Sequence, residues 1–314
     1  MNEQKYRQAE KTLWDSVGLS PRESFVTLPR IGVKVRAQEV GEGEPVLLIH
    51  GGPNSGSTWA PLVQYLSGYR CLIVDRPGTG LSDPYPIDRD NLAEFGDRFV
   101  GDVLTGLGIE SAHIVASSFG GMLALRSAAA EPEFVRRMVQ MAAPALAPGS
   151  ATPAFMRAMG IAPVRWLISK LPPNQKGNDS IMRQIGHGAT LDAGGFPDEF
   201  NEWYLALQKH TDTMEHDGGM ISRMVTWRGF DPADSIPDSV FAGVETPTVF
   251  LWGEDDGFGD EHVARGVVGR MPNARLVMIP DLGHLPWLDD PVAIAQQTNG
   301  WLAASDAPRE RRSA

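Results

Sequence analysis

Apolar residues fall into two rhythms along the chain. Unbroken runs occur at 46–49 (VLLI), 71–74 (CLIV), 114–116 (IVA) and 248–252 (TVFLW), and shorter apolar stretches at 135–141 and 275–279. Continuous runs of this length predict strands buried on both faces of a sheet. Interrupted runs predict helices over 58–66, 91–107, 260–270 and 291–303. Residues 4–17 predict an amphipathic helix, with Tyr6, Leu13, Trp14 and Val17 on its apolar side, packed outside the main body. Residues 25–40 alternate at Ile31, Val33 and Val35 and carry Gly32, with Gly41 just beyond, as a strand or hairpin at a sheet edge would. Strands alternating with helices at this spacing imply right-handed crossovers, hence an α/β fold whose mostly parallel central sheet has helices on both faces. In such sheets functional groups gather beyond the carboxyl ends of the strands.

Residues 144–242 break that alternation. They hold many Pro and Gly, the tryptophans Trp166, Trp203 and Trp227, and six methionines including Met156, Met182 and Met220. Helices are expected over 153–170, 178–187, 197–210 and 217–227. A helical stretch inserted between two sheet strands reads as a cap over the strand ends, and it must also bury its own apolar face. The division that follows is an N-terminal helical extension (1–24), an α/β core (25–143 and 243–304), a helical cap (144–242) and a flexible tail (305–314).

Composition narrows the functional classes. With 42% hydrophobic and 21% charged residues the 314-residue chain is that of an ordinary soluble globular protein. A net charge of −11 argues against nucleic acid or an anionic membrane as partner. The single cysteine, Cys71, lies in an apolar run and has no internal partner for a disulfide. The polar start MNEQKYRQAEK carries no signal core, so a cytoplasmic protein is expected.

The candidate chemistry centres on 113–132 (HIVASSFGGMLALRSAAAEP), a strand, a sharp turn and a helix with a hydroxyl on the turn. A nucleophile on so tight a turn needs small residues two places before and two after it. Ser118 has Ala116 and Gly120 there, whereas Ser117 has Val115 and Phe119. Ser118 is therefore the candidate, in a small-x-Ser-x-Gly elbow. Taken alone, an incidental serine on an ordinary turn fits the stretch as well. A serine hydroxyl needs a base, and the base an acid to orient it. In this fold class they follow in the order Ser, acid, His. His284, on the loop after 275–279, stands where a base reaches the elbow; His113 begins the elbow strand at its far end and reads as structural. His187, His210 and His216 fall in the cap as surface or packed residues, and His262 as an exposed one. The acid falls in Glu254, Asp255 or Asp256 after 248–252, which chemistry alone does not separate.

The blocks HGGP (50–53), DRPGTGLSD (75–83), ASSFGG (116–121), WGEDD (252–256) and GH (283–284) resemble the α/β-hydrolase superfamily over residues 25–304. The resemblance is to its cap-bearing branch of esterases, meta-cleavage-product C–C hydrolases, cofactor-free haloperoxidases and prolyl iminopeptidases. It implies a triad of Ser118, Asp256 and His284, with Asp255 as the fallback acid, and an oxyanion hole from the backbone N–H groups of Gly52 and Phe119. Asp75 and Arg76 would hold turn geometry and His50 its loop, while Gly51, Trp59, Trp166 and Trp203 are candidates for the substrate pocket. No metal and no cofactor are implied.

Serine at the elbow, where dehalogenases and epoxide hydrolases carry Asp, favours attack on a carbonyl and an acyl-enzyme. The expected function is hydrolysis of a small or medium, apolar carboxylic ester. The alternatives are a C–C bond hydrolase, a prolyl iminopeptidase-like amidase holding an amine through acids such as Glu199 and Glu202, and a non-catalytic ligand receptor. The Asn54 that follows HGGP departs from the iminopeptidase pattern, which continues with Gly.

Overall fold

The computed structural model describes residues 2–168 and 170–304; the 305–314 tail lies outside them. The described residues form ten strands: β1 (Arg22–Thr27), β2 (Lys34–Val40), β3 (Glu44–Ile49), β4 (Tyr69–Val74), β5 (Ala112–Ser117), β6 (Val135–Met141), β7 (Val225–Thr226), β8 (Gly229–Phe230), β9 (Thr248–Gly253) and β10 (Ala274–Ile279). Eight form one sheet in the order β1-β2-β4-β3-β5-β6-β9-β10, and β7 pairs only with β8. β1 and β2 are an antiparallel edge hairpin, β2 pairs antiparallel with β4, and the other pairs of the eight-stranded sheet are parallel.

The unbroken apolar runs face both ways, as residues of a doubly covered sheet must. Leu47 and Ile49 enter a cluster with Phe99, Val103 and Leu123, which come from the helices Leu92–Leu107 and Ser118–Ala130. Val46 and Leu48 enter a second cluster with Trp14, Trp59, Trp287 and Ile294. β3 has β4 on one side and β5 on the other, with Ile49 opposite both Val74 and Ala116. The winding reverses there, so the loops leaving β3 and β5 open side by side at the crevice where α/β sheets place their ligands.

Several helices differ from the expected spans. Residues 58–66 give only a 3-10 turn, Gly56–Trp59, and one helical turn, Ala60–Val63. Groups in that turn are bound from outside: the Gly56 N–H donates to Asp75, the Ser57 hydroxyl to Glu10, and the Thr58 carbonyl accepts from Trp287. The expected helix 153–170 is two helices, Ala154–Met159 and Ala162–Ile168. It breaks at Gly160, where a Cβ would stand within 3 Å of the Val225–Thr226 backbone. The next helix is Gln175–Gln184, begun by Asn174, whose side chain caps the Gly177 N–H, and a short one, Gly188–Asp192, follows. Asp198–His210 matches its prediction, while 217–227 becomes Thr213–Met224 followed by the β7–β8 hairpin. Asp238–Gly243 and Pro286–Asp289, too short to show a period, were not anticipated.

The N-terminal helix Glu3–Ser16 buries more than its apolar side. Glu10 makes a two-pronged ion pair with Arg36, at 2.8 and 2.6 Å, and both side chains are almost fully buried. The Tyr6 hydroxyl bonds to Glu10 and Ser55, and Trp14 donates to Ser57. The same helix touches the insertion, the Asn2 N–H donating to the His210 carbonyl. Cys71 is buried, and burial pushes its thiol up to about 12. Among the described residues no helix is long and apolar enough to cross a membrane.

Candidate active site

Ser118 sits between β5 and the helix it begins, with φ of 52°. That left-handed conformation costs a residue with a Cβ roughly 1–3 kcal/mol and persists only where its surroundings enforce it. They do so by close approach. A Cβ on Gly120 would stand 2.6 Å from the His50 carbonyl oxygen and closer still to that of Ile49. A Cβ on Gly51 would stand 2.7 Å from the Ser118 Cβ. The two glycines let the elbow helix and the β3 loop meet. Ser117, by contrast, is ordinary extended backbone with a fully buried side chain.

The β3 loop is itself held from beneath. His50 is buried; its Nδ1 lies 2.6 Å from the Gly51 carbonyl oxygen, and its Nε2 accepts from the Arg76 N–H at 3.2 Å. Those partners fix a neutral ring with its proton on Nδ1. Burial, with the Arg76 guanidinium alongside, holds the imidazole well below its ordinary value. Arg76 donates through Nε to the His50 carbonyl at 3.1 Å and through Nη2 to the Gly51 carbonyl at 3.0 Å. Asp75 accepts from the Gly56 and Leu81 N–H groups and so ties its own turn.

The other two sequence candidates come together with each other. The Nδ1 of His284 lies 2.9 Å from Asp256 Oδ1, and both residues are buried. Asp256 also accepts from the Ala143 and Phe258 N–H groups, each at 2.9 Å, whereas Glu254 and Asp255 point to solvent. Of the three adjacent carboxylates, Asp256 is the one that meets His284. Among the described residues the Nε2 of His284 has no hydrogen-bond partner, and the Phe258 ring packs 4.3 Å from the imidazole. No group of three or more His, Cys, Asp or Glu among the described residues is arranged to hold a metal ion.

Two pairs that sequence reasoning missed fasten the insertion to these loops. His187, fully buried, bonds through Nδ1 to both Asp289 oxygens at 2.8 and 2.9 Å, and its Nε2 accepts from the Leu285 N–H. Asp289 also accepts from the Gly283 N–H and from the Thr190 hydroxyl, while the His284 N–H donates to the Ile185 carbonyl. One signal was present: His187 stands between Gly186 and Gly188, and Gly186 has φ of 103° with no room for a Cβ beside the Asp255 carbonyl and Gly283. The second pair is Arg76 with Asp217, from the helix Thr213–Met224, at 2.7 Å and with both side chains buried. Burial pushes the Asp217 carboxyl up against the opposing pull of Arg76. Nothing in the spacing of MEHDGGM marks Asp217.

The pocket candidates are dispersed. Trp59 is fully buried with its ring centroid 4.1 Å from that of Trp287, Trp203 is fully buried beside Phe200, and Trp166 is 64% exposed on the helix Ala162–Ile168. Glu202 is exposed and Glu199 partly so. His113 is bonded to Glu44 at the opposite end of the sheet.

Residues 44–291 match the family model of the alpha/beta hydrolase fold. Among curated proteins, a 2-hydroxy-6-oxononadienedioate/2-hydroxy-6-oxononatrienedioate hydrolase of Cupriavidus pinatubonensis is 28% identical over 260 residues, which are 80% of this chain and 84% of that one. A 2-hydroxy-6-oxo-6-phenylhexa-2,4-dienoate hydrolase of Burkholderia cepacia is 24% identical across 90% of this chain and 97% of its own. Among solved structures, carboxylesterase CesB of Bacillus subtilis superposes with a TM-score of 0.71 at 19% identity, covering 96% of this chain and 99% of that one. A Rhodococcus 2-hydroxy-6-oxo-6-phenylhexa-2,4-dienoate hydrolase superposes with a TM-score of 0.72 at 18% identity, covering 91% and 100%.

Proposed function

The chain belongs to the α/β-hydrolase family, and from that premise we propose that it is a serine hydrolase that works through an acyl-enzyme on a small or medium, apolar carboxylic ester. The observation that carries the reading is the His284–Asp256 pair, a buried imidazole whose Nδ1 is anchored and whose Nε2 has no partner among the described residues. In this reading it serves Ser118, whose backbone has φ of 52°.

In this mechanism the Ser118 Oγ attacks the ester carbonyl carbon while Nε2 of His284 takes the hydroxyl proton. Asp256 holds the ring in the tautomer with its proton on Nδ1 and stabilises the imidazolium that forms. The carbonyl oxygen becomes an oxyanion that accepts from the N–H groups of Phe119 and Gly52. One such donor is worth roughly 3–4 kcal/mol in the transition state. Collapse of the tetrahedral intermediate breaks the C–O bond, and His284 passes its proton to the departing alkoxide. Water then enters by the same route in reverse roles and releases the acid. The inserted helices act as a cap that offers the acyl group an apolar surface; Met side chains such as Met156, Met220 and Met224 adapt readily to irregular ligands.

A second reading keeps the same residues and changes the bond. The curated relatives cited above are named as hydrolases of 2-hydroxy-6-oxo-dienoates, and this favours hydrolysis of a carbon–carbon bond next to a ketone. Incubation with a fluorophosphonate probe tests the shared chemistry. Ser118 is expected to be labelled and Ser118→Ala to be inert; an unlabelled wild type, or a Ser118→Ala variant that still turns substrate over, refutes it. Rates on p-nitrophenyl esters of graded chain length, set beside a 2-hydroxy-6-oxo-dienoate, then decide between the two bonds.

A further inference from the structure

We infer that Arg76 and Asp217 couple the inserted helices to the oxyanion donor of Gly52, so that this N–H is fully aimed only while the helix Thr213–Met224 is seated on the core. The inference rests on the serine-hydrolase reading above and adds two positioning residues to it.

The argument begins with one peptide plane. The Gly51–Gly52 peptide is trans, the cis bond lying one residue on at Gly52–Pro53. In a trans peptide the carbonyl and the following N–H point in opposite directions. The Gly51 oxygen is held on the underside of the loop by Arg76 Nη2 at 3.0 Å and His50 Nδ1 at 2.6 Å. The Gly52 N–H must therefore point away from the guanidinium. A second grip, from Arg76 Nε to the His50 carbonyl at 3.1 Å, fixes the preceding plane as well. The same guanidinium lies 4.9 Å over the ring of Phe119, whose N–H is the other proposed donor.

What holds Arg76 comes from the insertion. Nη2 carries two hydrogens; one goes to the Gly51 carbonyl and the other to Asp217 Oδ2 at 2.7 Å. The pair is 1% and 3% exposed, and 140 residues of chain lie between the partners. A buried guanidinium without its counter-charge is strongly unfavourable, so removing or lifting Asp217 drives Arg76 toward water and off the Gly51 carbonyl. Asp217 also bears on Gly52 itself, since a Cβ there would stand 2.5 Å from Oδ2. A displacement of this helix is thus passed to Gly52 by two routes.

Oxyanion donors act on the transition state more than on bound substrate, so faults in their aim appear in kcat and leave KM in place. The test uses full-length wild type, Arg76→Lys (charge kept, fork lost) and Asp217→Asn (shape kept, charge lost). Each is assayed with p-nitrophenyl butyrate and with a trifluoromethyl ketone, which forms a tetrahedral adduct on an active serine. Both variants are expected to lose about 10- to 100-fold in kcat, less than complete loss of a donor, with KM within about threefold. The ketone adduct should weaken by the same factor as kcat. Asp217→Asn, being isosteric, carries the test should the lysine variant not fold. An active wild type whose folded variants keep kcat and adduct affinity within about twofold overturns the coupling, as does a change confined to KM. A wild type inert to ester, ketone and fluorophosphonate overturns instead the reading on which it rests.

Discussion

Replacing Gly120 by alanine probes the contact that shapes the elbow. The added methyl would lie 2.6 Å from the His50 carbonyl oxygen and nearer still to that of Ile49. Both obstacles are backbone atoms, so no side chain can swing aside. Relief requires the elbow helix Ser118–Ala130 or the β3 loop to retreat by about 1 Å to reach ordinary contact distance. Overpacking of this kind costs about 1–3 kcal/mol in stability. The catalytic cost is separate: a shift of about 1 Å between nucleophile and oxyanion donors lowers rate by about 100-fold, or ~2.7 kcal/mol. Urea unfolding reads the first quantity; kcat/KM on a p-nitrophenyl ester and the rate of fluorophosphonate labelling read the second. Gly300→Ala is the control, since its helix leaves nothing within 4 Å of the new methyl. It should stabilise by about 0.5–1 kcal/mol and leave activity alone. A Gly120→Ala protein as stable and as active as wild type would refute the claim that helix and loop hold Ser118 by mutual contact.

Two further outcomes follow from the buried polar groups. His50 is held neutral in the folded chain, so between its lowered value and about pH 6.5 the unfolded chain binds a proton that the folded one does not. Stability should fall with pH below about 6.5, by up to about 1.4 kcal/mol per pH unit for this one group, with no contribution above; urea titrations of wild type and His50→Gln should show the variant with the shallower slope. Asp289→Ala orphans the buried donors of Gly283 and His187 and the partly buried Thr190 hydroxyl and should cost about 2–4 kcal/mol. Asp290→Ala, which removes only the helix cap on Ala293, should cost about 1 kcal/mol, and equal urea midpoints for the two variants would contradict that assignment.

The division between what the sequence disclosed and what it concealed follows the range of the interactions. Strands β3, β4, β5 and β9 were legible because burial on both faces leaves an unbroken apolar run. Their parallel order, with β10 parallel beside β9, put the HGGP, ASSFGG and GH loops at one end of the sheet. The preference for Ser118 over Ser117 rested on the size of flanking residues, and φ of 52° at Ser118 against extended backbone at Ser117 is the same distinction expressed in geometry. Chemistry could not rank three adjacent carboxylates, since only the fold decides which one turns inward. The insertion was legible as helical but not in its joints. Gly160 breaks a helix because a hairpin backbone some 65 residues later leaves no space for more. Asp217 was invisible for a similar reason, and His187 was marked only by its flanking glycines. Each is defined by a partner more than 100 residues distant, and a polar residue on a helix looks the same whether it faces water or a buried arginine.

The N-terminal helix bears on the order in which the molecule can be assembled. Its ion pair with Arg36 and its bonds to Ser55 and Ser57 become available as soon as β2 and the β3 loop exist. Its other flank lies on the helix Asp198–His210, and the Asn2 N–H meets the His210 carbonyl. During synthesis this helix leaves the ribosome about 200 residues ahead of that surface. The helix therefore cannot complete its burial while the first half of the sheet forms, and Tyr6, Leu13 and Trp14 stay without their full cover until the insertion has been made. A segment translated well before the insertion is thus among the last to be locked in place. An N-terminal fusion should accordingly weigh on the closing stage of folding, when helix and insertion dock, more than on the formation of the sheet.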